Sequence, residues 1–185
     1  MRGSSSKDLE TVFTLGHGAR SLEDFISILE DYEIRLLVDV RSVPRSRHNP
    51  QFNKEALPEE LKKRGIRYLH VPGLGGFRQP LKDSPNVGWR NAGFRGFADY
   101  MSSDAFQQSV QELVELSQKF RPALMCAETL PWRCHRSLIA DALLLRGIAV
   151  DHLFKAGTLQ HHRLTSWARV EGTRLTYPPL TELSS

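Results

Sequence analysis

Five short apolar runs alternate with segments of helical period, and this alternation limits the folds open to the chain. Each run has four to seven residues, a length typical of a strand that is buried on both faces. Strands that alternate with helices form parallel sheets with helices on both faces. We therefore predict a three-layer α/β/α fold with a mostly parallel sheet of about five strands, at Val12–Leu15, Leu36–Val40, Ile66–Val71, Ala123–Ala127 and Ile148–Phe154.

The segments between these runs carry helix signals. Ser21 is a suitable N-cap, and Gly65 and Gly147 are suited to the turn past a helix end. A long stretch rich in glycine and proline, Pro72–Phe94, predicts a binding loop or lid. We predict helices after Ser21, over Lys54–Arg64, from about Phe97 to Phe120 with a break at Ser102 and Ser103, and from about Pro131 to Arg146, followed by a hairpin over Trp167–Tyr177.

The chain contains no low-complexity linker and no internal repeat. Residues 11–180 are therefore predicted to form a single α/β domain, after a disordered leader at residues 1–10. No window approaches the roughly 18 apolar residues that a membrane span requires, so we expect a cytoplasmic protein without a membrane partner. The two cysteines, Cys126 and Cys134, are too few for a secreted disulfide scaffold and are expected to be thiols.

Arginine dominates the basic residues, with 18 of the 25, and the formal net charge is +4. Its planar guanidinium suits bidentate contacts with phosphate or carboxylate better than lysine does. This composition favours an anionic ligand, a nucleotide or a nucleic acid as partner. Surface ion pairs with the 21 acidic residues are the alternative explanation.

Polar and small residues follow four of the predicted strands. In open parallel sheets, ligands bind beyond the carboxyl ends of the strands. We therefore predict one site at this edge, built from His17 between two glycines, Asp39 and Arg41, Gly75 and Gly76, and Cys126 with Glu128.

The segment from Cys126 to Arg136 is the most specific feature of the sequence. It leaves a strand, turns at Pro131 and opens a helix, whose first turn favours an anion and lowers the pKa of a thiol. Cys134 is the predicted nucleophile if the chemistry is covalent, and we expect it to react faster than Cys126, which ends an apolar strand and is equally well explained as a core residue. The residues predicted to bind an anion here are Arg133, His135 and Arg136.

Known motifs do not match this segment. A phosphatase loop has five residues between its cysteine and its arginine, whereas six separate Cys126 from Arg133. The paired motifs of zinc deaminases are also missing. Cys126, Cys134, His135 and His17 are possible zinc ligands, but the two cysteines lie eight residues apart, without the paired spacing that is usual for zinc. No metal ligand is predicted, and the cofactor stays undetermined.

Two loops add basic residues. The loop Arg41–Asn53 contains Arg45 among hydroxyls and amides, a pattern typical of phosphate contacts. Trp89 and Arg90 combine an aromatic ring with a guanidinium, as stacking on nucleic-acid bases requires. Trp89 is equally well explained as an anchor of the long loop.

At these residues the sequence resembles a known family, the domain of unknown function 488 family. The resemblance covers about residues 12 to 178, and Gly18 departs from the serine of many relatives. It implies a shared fold and site location, and it implies no activity. The matching pieces are Thr14–His17, Val38–Arg41 with Pro44–Ser46, Asn49–Phe52, Leu74–Gly76, Trp89–Ala92, Met125–Glu128 and Cys134–Ala140.

The leading functional hypothesis is an enzyme that acts on a phosphate-bearing substrate, a nucleotide or a nucleic acid. Its predicted catalytic residues are His17 and Glu128 as general acid or base, Cys134 and Asp39. The alternative is a non-catalytic accessory protein that binds nucleic acid. Convergence of Cys134, Glu128 and His17 in one pocket discriminates between them.

Overall fold

The computed structural model describes residues 10–180. The predicted leader lies outside the described residues except for Glu10. Strands and helices alternate as the apolar runs predict. The elements are β1 (Thr11–Gly16), α1 (Leu22–Asp31), β2 (Leu36–Asp39), α2 (Leu57–Lys62), β3 (Arg67–His70), α3 (Ala92–Tyr100), α4 (Asp104–Lys119), β4 (Pro122–Cys126), α5 (Arg136–Leu144), β5 (Ala149–Lys155), β6 (Thr158–His161), β7 (Arg169–Glu171) and β8 (Arg174–Thr176).

The central sheet has six strands in the order β3-β2-β4-β1-β5-β6. The first five strands of the chain are parallel to one another, and β6 pairs antiparallel with β5. The prediction of a mostly parallel sheet is therefore confirmed, with one strand more than expected. The added strand β6 is exposed throughout, so it lacks the apolar run by which the other strands were found.

Helices cover both faces of the sheet. On one face, Phe25 of α1 and Leu61 of α2 pack with Phe13 and Leu15 of β1. On the other face, side chains of α3, α4 and α5 pack with Val12 and other apolar residues of the same strands. Alternate residues of β1 thus enter opposite cores, as the twofold period of a strand requires. The result is the predicted three-layer α/β/α arrangement.

Several helix boundaries differ from the prediction. Helix α2 begins three residues later than Lys54, and α3 begins at Ala92 instead of Phe97. The expected break is present, because the Ser103 hydroxyl accepts the Phe106 N–H and caps α4. Residues 131–133 form a 3-10 turn before α5 begins at Arg136. Strands β7 and β8 form the predicted C-terminal hairpin.

The sheet order brings three carboxyl ends together, because β4 lies between β1 and β2. The loops that follow these three strands therefore meet at one edge of the sheet. Within the described residues, no helix has the length and apolar character needed to cross a membrane.

Candidate active site

A cavity of about 690 Å³ opens at the carboxyl ends of β1, β2 and β4. The loops after these strands form its walls, together with residues from the long loop and from the segment before α5. Most of the predicted site residues meet there. Those that line it are His17, Arg41, Arg45, Gly76, Glu128, Arg133, Cys134 and His135, while Asp39, Gly75, Trp89, Arg90 and Arg136 do not.

Close contact between the ends of β1 and β4 shapes the floor of the cavity. The His17 N–H donates to the Cys126 carbonyl over 2.9 Å, and the Gly18 N–H donates to the Ala127 carbonyl over 2.9 Å. A Cβ on Gly16 would lie 1.9 Å from the Glu128 carbonyl oxygen. Only glycine fits at this position, and the close approach brings the two loops side by side.

The sulfur of Cys134 is the central group of the site. It lies at the cavity wall but is only 4% exposed. The Arg136 backbone N–H and Nε–H point at Sγ from 3.5 Å and 3.4 Å. Burial disfavours the thiolate, but hydrogen bonds with Cys126 and His135 and the charge of Arg136 outweigh it and hold the pKa of Cys134 well below its ordinary value. These surroundings favour the thiolate form of Cys134 over the thiol.

Arg136 is fully buried beneath this sulfur. Its guanidinium also donates to the Thr14 hydroxyl over 2.9 Å and to the Glu128 and Thr129 carbonyls over 2.5 Å and 3.4 Å. A buried guanidinium with all these acceptors is held in one orientation. In this arrangement Arg136 holds the loop after β4 and points donors at the Cys134 sulfur, and it does not line the cavity; its contact with a ligand stays a prediction.

The start of α5 also differs from the anion site that we expected from its backbone. The N–H of Arg133 donates to the Leu130 carbonyl, and the N–H of Cys134 donates to the Pro131 carbonyl. The N–H of Arg136 points at the Cys134 sulfur. Three of the backbone donors expected to bind an anion therefore have partners within the protein.

Cys126 and His135 flank Cys134. The Cys126 thiol is half-buried, and its hydrogen bond to Cys134 together with burial raises its pKa well above the ordinary value. His135 Nε2 donates to the Val40 carbonyl over 2.9 Å, and its Nδ1 faces the Cys134 sulfur at 3.6 Å. The donor atoms of Cys126, Cys134 and His135 all lie within 4.8 Å of one another. These three residues are the group that could hold a soft metal ion such as zinc, with one coordination position open.

His17 does not belong to that group, because both of its ring nitrogens have other partners. Nδ1 bonds the Gly18 carbonyl over 2.8 Å, and Arg41 Nη1 lies 3.4 Å from Nε2. A guanidinium only donates, so Nε2 accepts and Nδ1 carries the proton. Burial lowers the pKa of His17. The ring stacks on Phe52 and presents an unprotonated Nε2 at the cavity.

The buried carboxylate of Asp39 fixes the guanidinium of Arg41 at the cavity wall. The two form a buried bidentate ion pair with N–O distances of 2.9 Å and 2.8 Å, and Asp39 also accepts the Tyr68 hydroxyl. Arg41 Nη2 donates to the Phe52 carbonyl over 2.7 Å. The carboxylate of Asp39 is fully buried and does not line the cavity. This placement suits a residue that positions Arg41 better than one that contacts a substrate, and the catalytic role predicted for Asp39 stays a prediction.

The rim of the cavity carries charged and aromatic side chains. Arg45 pairs with Glu55 in solvent, Arg133 is exposed, and Glu128 accepts the Leu130 N–H over 3.1 Å. Phe77 is 80% exposed at the mouth and was missed from the sequence. Its position directly after Gly75 and Gly76, within the long loop, was the available signal.

Trp89 and its neighbours play a different part from the one predicted. Trp89 is half-buried, stacks on Phe94 with ring centroids 5.0 Å apart, and packs edge-on against Trp167. These contacts favour the alternative explanation, in which the ring anchors the long loop, and base stacking by Trp89 stays a prediction. Phe94 reaches the cavity instead, while Arg90 is exposed outside it.

A comparison with known families finds one match. The model described as Domain of unknown function DUF488 matches residues 21–143. No curated protein and no solved structure matches the chain. The matched range includes β2, β4, the cavity loops that follow them and most of α5, while β1 with His17 lies before it.

Proposed function

The chain belongs to the domain of unknown function DUF488 family, and from this premise and the site we propose a thiol-dependent enzyme that acts on a phosphate-bearing substrate. The substrate class is a nucleotide or a nucleic acid. We also propose a cytoplasmic location, where the two thiols of Cys126 and Cys134 stay reduced.

The observation that carries this proposal is the environment of the Cys134 sulfur. Two N–H groups of the buried Arg136 point at it, and it lies at the wall of a cavity large enough for a small ligand. A structural cysteine in an apolar core would lack these donors. An ionised sulfur beside a cavity is the arrangement that covalent catalysis requires.

The rim of the cavity supports the choice of substrate. Arg133 and Arg45 are exposed at the rim, where an incoming phosphate would pass. Arg41 lies in the cavity wall, where its Nη1 group is the donor available to a phosphate. Phe77 and Phe94 offer ring faces at the same opening. Guanidinium groups next to exposed rings suit a ligand with a phosphate and a nucleobase.

In the proposed reaction, the Cys134 sulfur attacks the phosphorus of the substrate. An S–P bond forms as the bond from phosphorus to the leaving oxygen breaks, and Glu128 at the rim donates a proton to that oxygen. Water then attacks the phosphorus and gives a proton to His17 Nε2, while the S–P bond breaks and releases the Cys134 sulfur. Arg41 and Arg133 stabilise the charge on the phosphoryl oxygens.

A non-catalytic nucleic-acid-binding accessory is the alternative. That function does not require reactive side chains to meet. Cys134, Glu128 and His17 instead line one cavity, which favours the enzyme.

The test is to identify and measure the ligand with the Cys134→Ser variant, which keeps a small polar group in place of the nucleophile. Small molecules released from the natively purified variant are identified by mass spectrometry. Binding of nucleoside monophosphates and a single-stranded oligonucleotide is then titrated calorimetrically. We expect a retained phosphate-bearing molecule, and an affinity that falls about tenfold or more in Arg133→Gln, because a charge-assisted hydrogen bond is lost.

The matched control is Arg35→Gln, because Arg35 is exposed and precedes β2 at the opposite edge of the sheet. Its affinity should equal that of the parent. Equal losses in both arginine variants would assign binding to net charge alone. A retained ligand without phosphate would contradict the proposed substrate class.

A further inference from the structure

Cys126 has no part in the reaction proposed above, yet its sulfur lies beside the nucleophile. It ends β4, is half-buried, and lines the same cavity as Cys134. The two sulfurs lie within 4.8 Å of each other. A disulfide has an S–S bond of about 2 Å, and the Cys126 side chain has to close only the remaining gap.

The two cysteines have different surroundings. The backbone N–H and the Nε–H of Arg136 point at the Cys134 sulfur, whereas Cys126 ends β4 at the wall of the same cavity. A sulfur that receives two donors, with a second thiol within reach, is the arrangement of an oxidation-sensitive cysteine and its resolving partner.

We propose that Cys126 is the resolving cysteine of Cys134, and that a hydroperoxide reversibly switches the site off through a disulfide between them. The Cys134 thiolate attacks the peroxide, takes one oxygen and becomes a sulfenic acid, while the other oxygen leaves as an alcohol or water after taking a proton. The Cys126 sulfur then displaces the sulfenic oxygen. That oxygen leaves as water with the Cys126 proton, and an external dithiol later restores both thiols.

The surroundings allow this step. A cavity of about 690 Å³ has ample room for hydrogen peroxide, which has only two heavy atoms. Arg136 keeps its bonds to Thr14 and to the Glu128 carbonyl when the sulfur is oxidised, so the loop need not unfold. The switch concerns the same sulfur as the proposed function and rests on its reactivity. Its test measures only the state of the two sulfurs, so the substrate proposal and the switch can fail separately.

The experiment treats the wild-type protein with hydrogen peroxide and maps its tryptic peptides by mass spectrometry. Trypsin cuts after Arg133 and so separates Cys126 from Cys134 unless a disulfide joins them. We expect the intact protein to lose two hydrogen atoms, the peptide of residues 120–133 to be linked to that of 134–136, and dithiothreitol to reverse both changes. The wild-type map needs no variant, so a folding defect cannot obscure it.

Two variants sharpen the result. In Cys126→Ser no partner is present, so the 134–136 peptide, which has no methionine, should gain two or three oxygen atoms that dithiothreitol does not remove. In Cys134→Ser the remaining thiol should stay unmodified under the same dose. An over-oxidised Cys134 without a linked peptide in the wild type would overturn the proposal. So would release of a bound metal ion in equal amount when the thiols are titrated, because it would assign the pair to metal binding.

Discussion

Buried polar side chains behind the site form one continuous hydrogen-bonded chain. The Thr14 hydroxyl accepts from Arg136 and bonds His152 Nδ1 over 2.7 Å, and His152 Nε2 bonds His162 Nδ1 over 2.9 Å. His162 Nε2 then bonds Asp141 over 2.8 Å. The carboxylate at the far end only accepts, so His162 Nε2 carries a proton, and the network joins Arg136 to Asp141 through two buried rings.

This chain predicts a pH-dependent stability at the scale of one residue. Burial, with the nearby charges of His162 and Arg136, lowers the pKa of His152 to about 3. The unfolded state binds a proton near pH 6.5 and the folded state does not. The contribution of neutral His152 to the free energy of unfolding is therefore complete above about pH 6.5. It is lost progressively as the pH falls toward about 3, and the loss reaches about 2 kcal/mol at pH 5.

Urea unfolding of His152→Gln at about pH 7.5 and about pH 5 checks this prediction. The variant should be less stable at the higher pH and should lose less on acidification than the wild type does. His161→Gln is the control, because that side chain is exposed on the neighbouring strand. An unchanged pH dependence in His152→Gln would show that His152 is not the titrating group.

At the scale of elements, the contact between the ends of β1 and β4 determines where the reactive groups lie. Gly16→Ala would place a Cβ 1.9 Å from the Glu128 carbonyl oxygen, which also accepts from Arg136. We expect a loss of about 1–3 kcal/mol in the free energy of unfolding and slower alkylation of Cys134, because the loop that holds Arg136 must shift. Chemical denaturation and thiol labelling measure the two effects.

The control is Gly65→Ala, which has a φ of 72° and no heavy atom within 4 Å of the added Cβ. Backbone strain should cost it about 1 kcal/mol without changing the labelling of Cys134. If both variants slow the labelling equally, general destabilisation explains the effect and the contact between the strand ends does not.

For the whole molecule, the sequence predicted the parts of the fold that depend on apolar runs. It missed β6 because that strand is exposed, and it placed β3 among buried strands although β3 is an edge strand with alternating exposure. Strand ends located His17, Glu128 and Cys134, because glycines and polar residues interrupt the apolar runs there.

The direction of the side chains could not be predicted in the same way. Arg136 lies at a helix start, where an arginine often faces solvent, and only the packed structure shows it buried beneath the sulfur. Asp39 and Arg41 are neighbours in sequence, but their ion pair turns one away from the cavity. Phe77 lies in a loop without periodicity, and its place directly after Gly75 and Gly76 was the one signal for its position at the mouth.

The central claim is that Cys134 is an activated thiolate, and the most direct measurement is the pH dependence of its alkylation in the native wild-type protein. Labelling with iodoacetamide is quantified on the separate tryptic peptides of Cys134 and Cys126. Restricted access of the reagent slows labelling by the same factor at every pH, so the midpoint of the rate profile reports the pKa. The account predicts a Cys134 midpoint well below the free-thiol value of about 8.5 and a Cys126 midpoint above it. A Cys134 midpoint at or above about 8.5 would contradict the account, because the sulfur would then be a structural thiol.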